Sequence, residues 1–170
     1  MIIAHLPAGY ITSKILYPRF QSRGCSLKSF FWSGIFGSIA PDLDLVYFYL
    51  IDRRQHHHHT YWVHFPIVWF SMLILSVIWI ASVRSVSRAA LLLIFSLNGF
   101  LHMLLDSVVG DIWWGAPFSD KPFSFFTVPA RYNPWWLNFL LHWSFGLELA
   151  IAALALCLWC RSSSSSLASF

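Results

Sequence analysis

Seven side chains ill suited to lipid stand in short, spaced groups along a mostly apolar chain: His5, Asp42, Asp44, His59, His64, His102 and Asp106. Imidazole and carboxylate are the donors from which mixed-ligand divalent metal sites are built. His102 and Asp106 are four residues apart, so on a helix they project from one side, one turn apart, and can grip one ion. Asp42 and Asp44 flank a single leucine after Pro41. That proline disfavours helix at Ala40, and a break there brings both carboxylates near one cation. A helix N-cap would account for one of the two aspartates and leave the other unexplained. The stretch His56-His57-His58-His59-Thr60-Tyr61-Trp62-Val63-His64 holds more imidazoles than one site can take. His59 and His64 are the preferred ligands and His58 the next, with His56 and His57 as bystanders or as partners of the ligands.

The elements that must position these groups are membrane helices. Of 170 residues, 58% are hydrophobic, 19% aromatic and 11% charged. Ordinary soluble domains are about 25% charged, so this chain lacks the polar surface to cover a water-soluble globule. Disorder is excluded by the same balance. The fold class expected is an all-α integral membrane protein, a bundle of four or five membrane-embedded helices, with residues 1–160 as one domain and 161–170 as a Ser-rich, disordered tail. Phe65 to Val83 is an uncharged run that reaches roughly 29 Å as a helix, close to a hydrocarbon core of about 30 Å. Ala89 to Val109, Trp135 to Cys160 and Phe30 to Ile51 are further runs, and Ile2 to Tyr17 is a shorter one. Its short apolar core and lack of a basic start are unlike a signal peptide, so no cleavage is expected. Cys157 and Cys160 form a CxxC inside an apolar run and read as small packing residues rather than a redox pair.

Loop charge orients the bundle. Arg19, Arg23, Lys28, Arg84, Arg88 and Arg161 lie at one set of helix ends, and Arg53, Arg54, Lys121 and Arg131 at the other. The positive-inside rule puts the first set in the cytoplasm. With Ile2–Tyr17 as a span, the chain is N-out and C-in. All seven candidate ligands then fall at the non-cytoplasmic ends of their segments, where unrelated polar residues would have scattered over both faces. His142 lies near the same face, and Glu148 lies deeper and needs a partner or water.

In order and spacing the chain resembles the YdjM-type family of membrane-bound metal-dependent hydrolases. The matching pieces are His5-Leu6-Pro7-Ala8-Gly9, Gly37-Ser38-Ile39-Ala40-Pro41-Asp42-Leu43-Asp44, His58-His59-Thr60-Tyr61-Trp62-Val63-His64-Phe65-Pro66, Leu101-His102-Met103-Leu104-Leu105-Asp106 and Gly115-Ala116-Pro117-Phe118-Ser119. The resemblance implies a metal-dependent hydrolase with all seven residues on motif positions. Thr60 stands where the family usually has Arg, and Val63 and Phe65 flank His64 where it has Ser or Thr before and Ser after.

Mixed imidazole and carboxylate donors suit Zn²⁺, Mn²⁺ or Fe²⁺ better than Mg²⁺ or Ca²⁺. Zinc or manganese is expected, as one or two ions, since seven candidates exceed the four ligands of a closed structural site. Asp44 as proton acceptor and His64 are the expected catalytic residues. Lys121, Arg131 or Arg54 is available to hold a phosphate. A site at headgroup depth suits membrane lipid or another amphiphilic ester or phosphoester as substrate. Two other readings use the same residues: a metal or proton transporter, and a scaffold whose metal only staples helices together. The uncharged stretches Ser71–Val83 and Ala89–Leu97 count against a transport path. No basic patch interleaved with aromatics points to nucleic acid. The oligomeric state is not legible.

Overall fold

A computed structural model describes residues 1 and 3–167. The regular structure is helical: α1 (His5–Leu16), α2 (Pro18–Gln21), α3 (Leu27–Ile39), α4 (Asp44–Leu50), α5 (Pro66–Ser82), α6 (Ser87–Asp106), α7 (Trp136–Leu140) and α8 (Trp143–Leu167). No strand forms among the described residues, where Ile112 and Phe123 make an isolated β-bridge. Two helices are long and apolar enough to cross a membrane, Ser87–Asp106 and Trp143–Ser162. The first is 50% buried by its neighbours and the second 11%. α6 is therefore the central post, and α8 is a perimeter helix whose Leu154, Leu156 and Trp159 face outward. The other expected segments are shorter. α5 has 17 residues, about 26 Å of helix, and α1 has 12, about 18 Å.

Two expected runs are interrupted. The second segment ends as α3 at Ile39, passes through a single 3-10 turn over Pro41–Leu43, and resumes as α4 at Asp44. Ala40 keeps helical angles (φ −59°, ψ −36°). The interruption therefore stems from the N–H that Pro41 lacks rather than from an extended residue before it. The last run, expected to be continuous from Trp135, divides into α7 and α8 around His142. There the Ser144 N–H faces the ring Nδ1 at 3.4 Å and the Ser144 hydroxyl meets the same atom at 2.9 Å. Such local side-chain bonds compete with the helical ladder. At the far end α8 continues to Leu167, past the boundary at 160, since each residue added to an existing helix gains a backbone bond. Of the expected tail, residues 168–170 lie outside the described residues.

α3 and α6 lie parallel at close range. Ser33 donates to the Leu91 carbonyl at 2.8 Å, Asn98 to the Gly34 carbonyl at 3.1 Å, and His102 to the Ser38 carbonyl at 2.8 Å. The approach requires Gly37, where a Cβ would sit 2.2 Å from the Phe95 carbonyl oxygen. α1 packs antiparallel across both helices, and α5 returns along α6. At one end of this assembly Phe20, Cys25, Phe30, Val86, Ala90 and Ile94 form an apolar core. The opposite end holds the polar residues.

Candidate metal centre

The site is assembled where four elements end. α1 contributes His5 in its first turn and α6 contributes His102 and Asp106 in its last. The break between α3 and α4 presents Asp42 and Asp44. Two further 3-10 turns, His58–Thr60 and Trp62–His64, present the loop histidines. Trp69 of α5 lies against Gly99 of α6 and donates its indole N–H to the Val63 carbonyl at 2.7 Å. The second turn is thereby fixed to the helix pair.

Asp42, His64, His102 and Asp106 bring one ligand atom each within 4.8 Å of one another, and His58, His59 and His64 form an overlapping group of the same kind. His102 Nε2 lies 3.0 Å from Asp106 Oδ2 and 3.5 Å from Asp42 Oδ1. His64 Nε2 lies 3.8 Å from Asp42 Oδ1, and His59 Nε2 lies 3.7 Å from Asp106 Oδ2. The amino group of Met1 also contacts Asp106 Oδ1.

Three of the histidines share a wiring pattern. His102 Nδ1 is 2.8 Å from the Ser38 carbonyl, His59 Nδ1 is 2.9 Å from the Asp111 carbonyl, and His64 Nδ1 is 2.6 Å from the Asp44 carboxylate. Each partner can only accept, so each Nδ1 carries a proton, which leaves each Nε2 as the atom that could offer a lone pair to an ion. Those lone pairs converge. Among the described residues His64 Nε2 and His102 Nε2 are buried without a well-aligned hydrogen bond, His102 Nε2 facing the Asp106 carboxylate at 3.0 Å, a costly arrangement for polar atoms in a protein interior. Orientation of a ring by an outer acceptor, with the inner nitrogen left bare, is the usual preparation of a metal-ligating histidine.

Charge agrees with this geometry. The two carboxylates of the cluster, Asp42 and Asp106, carry a charge that one divalent cation would cancel. Burial pushes His59 down to about 2 and His58 down to about 4, so both loop imidazoles are neutral near pH 7. The donor set and the two inward-facing nitrogens fit a divalent ion.

The seven expected residues do not hold equivalent places. Asp42, His59, His64, His102 and Asp106 face the centre. Asp44 stands behind His64 and is 8% exposed. His5 donates from Nε2 to the Met1 carbonyl at 3.1 Å, lies 3.1 Å from Asp106 Oδ1, and stacks on His102 with ring centroids 3.7 Å apart. His56 turns outward to Asp52 at 2.7 Å. His142 bonds within its own turn to Ser144. Glu148 accepts the Ile3 N–H at 2.5 Å and the Ala4 N–H at 3.2 Å, so α8 supplies the acceptor for the open start of α1. The two carbonyls that orient His59 and His102 carried no sequence signal, because any residue type supplies one.

Beside the centre lies a cavity of about 380 Å³, reached by Asp42, His58, His59 and Asp106 and walled by Val109, Val128, Trp135 and Phe139. Asn138 shapes its rim. It takes the backbone N–H groups of Arg131 and Tyr132 at 2.8 and 2.7 Å and donates to the Tyr132 and Trp135 carbonyls. Arg54, Lys121 and Arg131 do not line this cavity. Arg54 instead stacks over Tyr49, 5.5 Å from the ring centroid.

The family described as YdjM inner membrane protein matches this chain over residues 1–167. No curated protein and no solved structure matches it.

Proposed function

We propose, from the premise that the chain belongs to the YdjM inner membrane protein family, that it is a multi-pass membrane hydrolase. Its substrate class is an ester or phosphoester of an amphiphile, held by a divalent-metal centre near the non-cytoplasmic face. The observation that carries this reading is the convergence of bare Nε2 atoms beside an accessible cavity. Asp42, His59, His64, His102 and Asp106 would hold the metal, most simply zinc or manganese, as one or two ions. Such an ion supplies Lewis acidity and an activated water for ester or phosphoester cleavage.

The chain's own residues do the rest. Asp44 holds the His64 ring in the tautomer that leaves Nε2 free. The carbonyls of Ser38 and Asp111 do the same for His102 and His59. His5, beside Asp106, stacks on His102 and so keeps its ring from rotating. Asp42, with its side chain 34% exposed, is the carboxylate placed to take a proton from the cavity. The apolar walls Val109, Trp135 and Phe139 suit an acyl or alkyl group and exclude bulk water from it. A closed staple has no need of such a cavity, which favours catalysis over a purely structural metal.

The directions of the helices support five crossings. α3 and α6 run toward the site, and α1, α5 and α8 run away from it. The Arg84–Arg88 turn and the basic 17–29 link then share the cytoplasmic end. The test is turnover by purified protein, metal-loaded and chelator-stripped, against short-chain esters, phosphomonoesters and lipid phosphodiesters. Hydrolysis by the loaded form, lost on stripping and restored by Zn²⁺ or Mn²⁺, supports the proposal. Stoichiometric metal with no turnover of any class overturns it in favour of a metal staple.

A further inference from the structure

A second site lies at the opposite end of the bundle and does not depend on the hydrolase reading. There α1, α3 and α8 form an open groove of about 600 Å³, lined by Tyr10 and Lys14 of α1, Lys28, Phe31 and Trp32 of α3, and Trp159 of α8. α1 packs against both neighbours, and the slot runs between them. Its walls are aromatic and aliphatic. Its charged groups are the two ammonium groups, of which Lys14 contacts the Ser162 hydroxyl. Among the described residues no carboxylate lines it.

We propose that this slot binds one anionic phospholipid of the cytoplasmic leaflet. The acyl chain would lie against Phe31, Trp32 and Trp159, and the phosphate would meet Lys14 and Lys28. Lysine ammonium groups at the membrane surface attract anionic headgroups, and their alkyl stems extend the apolar wall. A slot of this volume is in the range of ligand sites, about 300–1,000 Å³. A small soluble anion would satisfy the lysines and leave the aromatic wall bare. A helix from a second copy would cover the wall but would have to bring acid to two lysines. The chain's seven acidic residues are Asp42, Asp44, Asp52, Asp106, Asp111, Asp120 and Glu148. Asp52, Asp111 and Asp120 stand in the loops at the metal face, Asp42, Asp44 and Asp106 stand in or behind the cluster, and Glu148 is bonded to the start of α1. None is placed to meet the lysines of a parallel neighbour.

The test uses the full-length protein delipidated in detergent and refilled with phosphatidylglycerol or phosphatidylcholine of identical acyl chains, with bound lipid counted by native mass spectrometry. Phosphatidylglycerol should be retained at one per chain, and phosphatidylcholine should wash away. The double substitution K14Q/K28Q should weaken retention about 30-fold, whereas K121Q at the other face should not. Brominated phosphatidylglycerol should quench tryptophan fluorescence more than brominated phosphatidylcholine, and W159F should remove most of the excess. Equal retention of the two lipids, indifference to K14Q/K28Q, or a dimer that persists on delipidation and shields Trp159 would each overturn the proposal.

Discussion

The parallel pair of α3 and α6 is closed differently at its two ends. At one end Phe30, Ala90 and Ile94 are fully buried against one another with no polar atom to satisfy. At the other, eight residues further along each helix, Ser38 and His102 meet through a single oriented hydrogen bond. There the buried side chains are imidazole and carboxylate. The apolar end is stable by itself, because removing such surface from water or filling space with it is favourable without a partner. The polar end holds two carboxylates, and the His64 and His102 Nε2 atoms beside them are buried without a well-aligned hydrogen bond among the described residues. Burial of that kind is destabilising until a cation arrives. One end thus maintains the helix pair, and the other is held ready at a cost in stability, as expected of a site kept for binding.

Substitutions should separate the two ends. The largest effect is expected from Asp106→Ala, which removes the carboxylate shared by His5, His59 and His102. Metal affinity should fall by about 1,000-fold, in line with the cost of breaking a buried ion pair, as read by competition with a chelating dye. Phe30→Ala should act in the opposite sense. It should lower stability by about 3–5 kcal/mol, measured by denaturant titration in detergent, and leave one-to-one metal loading in the molecules that remain folded. Loss of metal from folded Phe30→Ala protein would mean that the ends are not separable.

A finer contrast lies within the polar end. Asp44→Asn leaves every centre-facing side chain in place but replaces the acceptor-only carboxylate that fixes the His64 tautomer with a neutral amide that can also donate and so favour the other tautomer. Metal affinity should drop about 10–100-fold, and the apolar end should be untouched. Smallest of all is the effect at the outer loop. The His56 side chain, beside Asp52, holds that carboxyl down at about 2. Because its folded value is depressed, the interaction is fully present above about pH 4 and is lost as pH falls through about 2. His56→Ala should return the Asp52 midpoint toward the ordinary carboxylate value in a carbon-detected NMR titration and leave metal affinity unchanged.

Much of this contrast was legible before any coordinates. The spacing of His102 and Asp106 dictates a shared helix face, and the Pro41 break dictates that Asp42 and Asp44 leave the helix axis. What spacing could not say was which of those two aspartates faces the centre. Both sit within one turn of a break, and only the placement of His64 decides it. The carbonyls of Ser38 and Asp111 were invisible for a different reason, since backbone acceptors have no residue signature. Glu148 was recognised as needing a partner, but that partner is a pair of backbone N–H groups at the start of α1, which composition does not mark. The division of the last helix at His142 escaped because the apolar run continues through it, and a two-residue local bond to Ser144 outweighs the run's periodicity. The phosphate clamp expected from Arg54, Lys121 or Arg131 does not line the cavity. Loop charges are placed by the loop's own packing, here the Asn138 network, and not by their number.

The central claim is that the converging Nε2 atoms of His59, His64 and His102, with Asp42 and Asp106, form a divalent-metal centre. X-ray absorption at the metal edge, on protein purified without chelator or affinity-column metal, tests it most directly. The account predicts at least one divalent ion per chain with mixed nitrogen and oxygen neighbours at about 2.0–2.2 Å, and loss of imidazole scattering in His64→Ala and His102→Ala. A protein without bound metal, or a metal shell without imidazole, would contradict it.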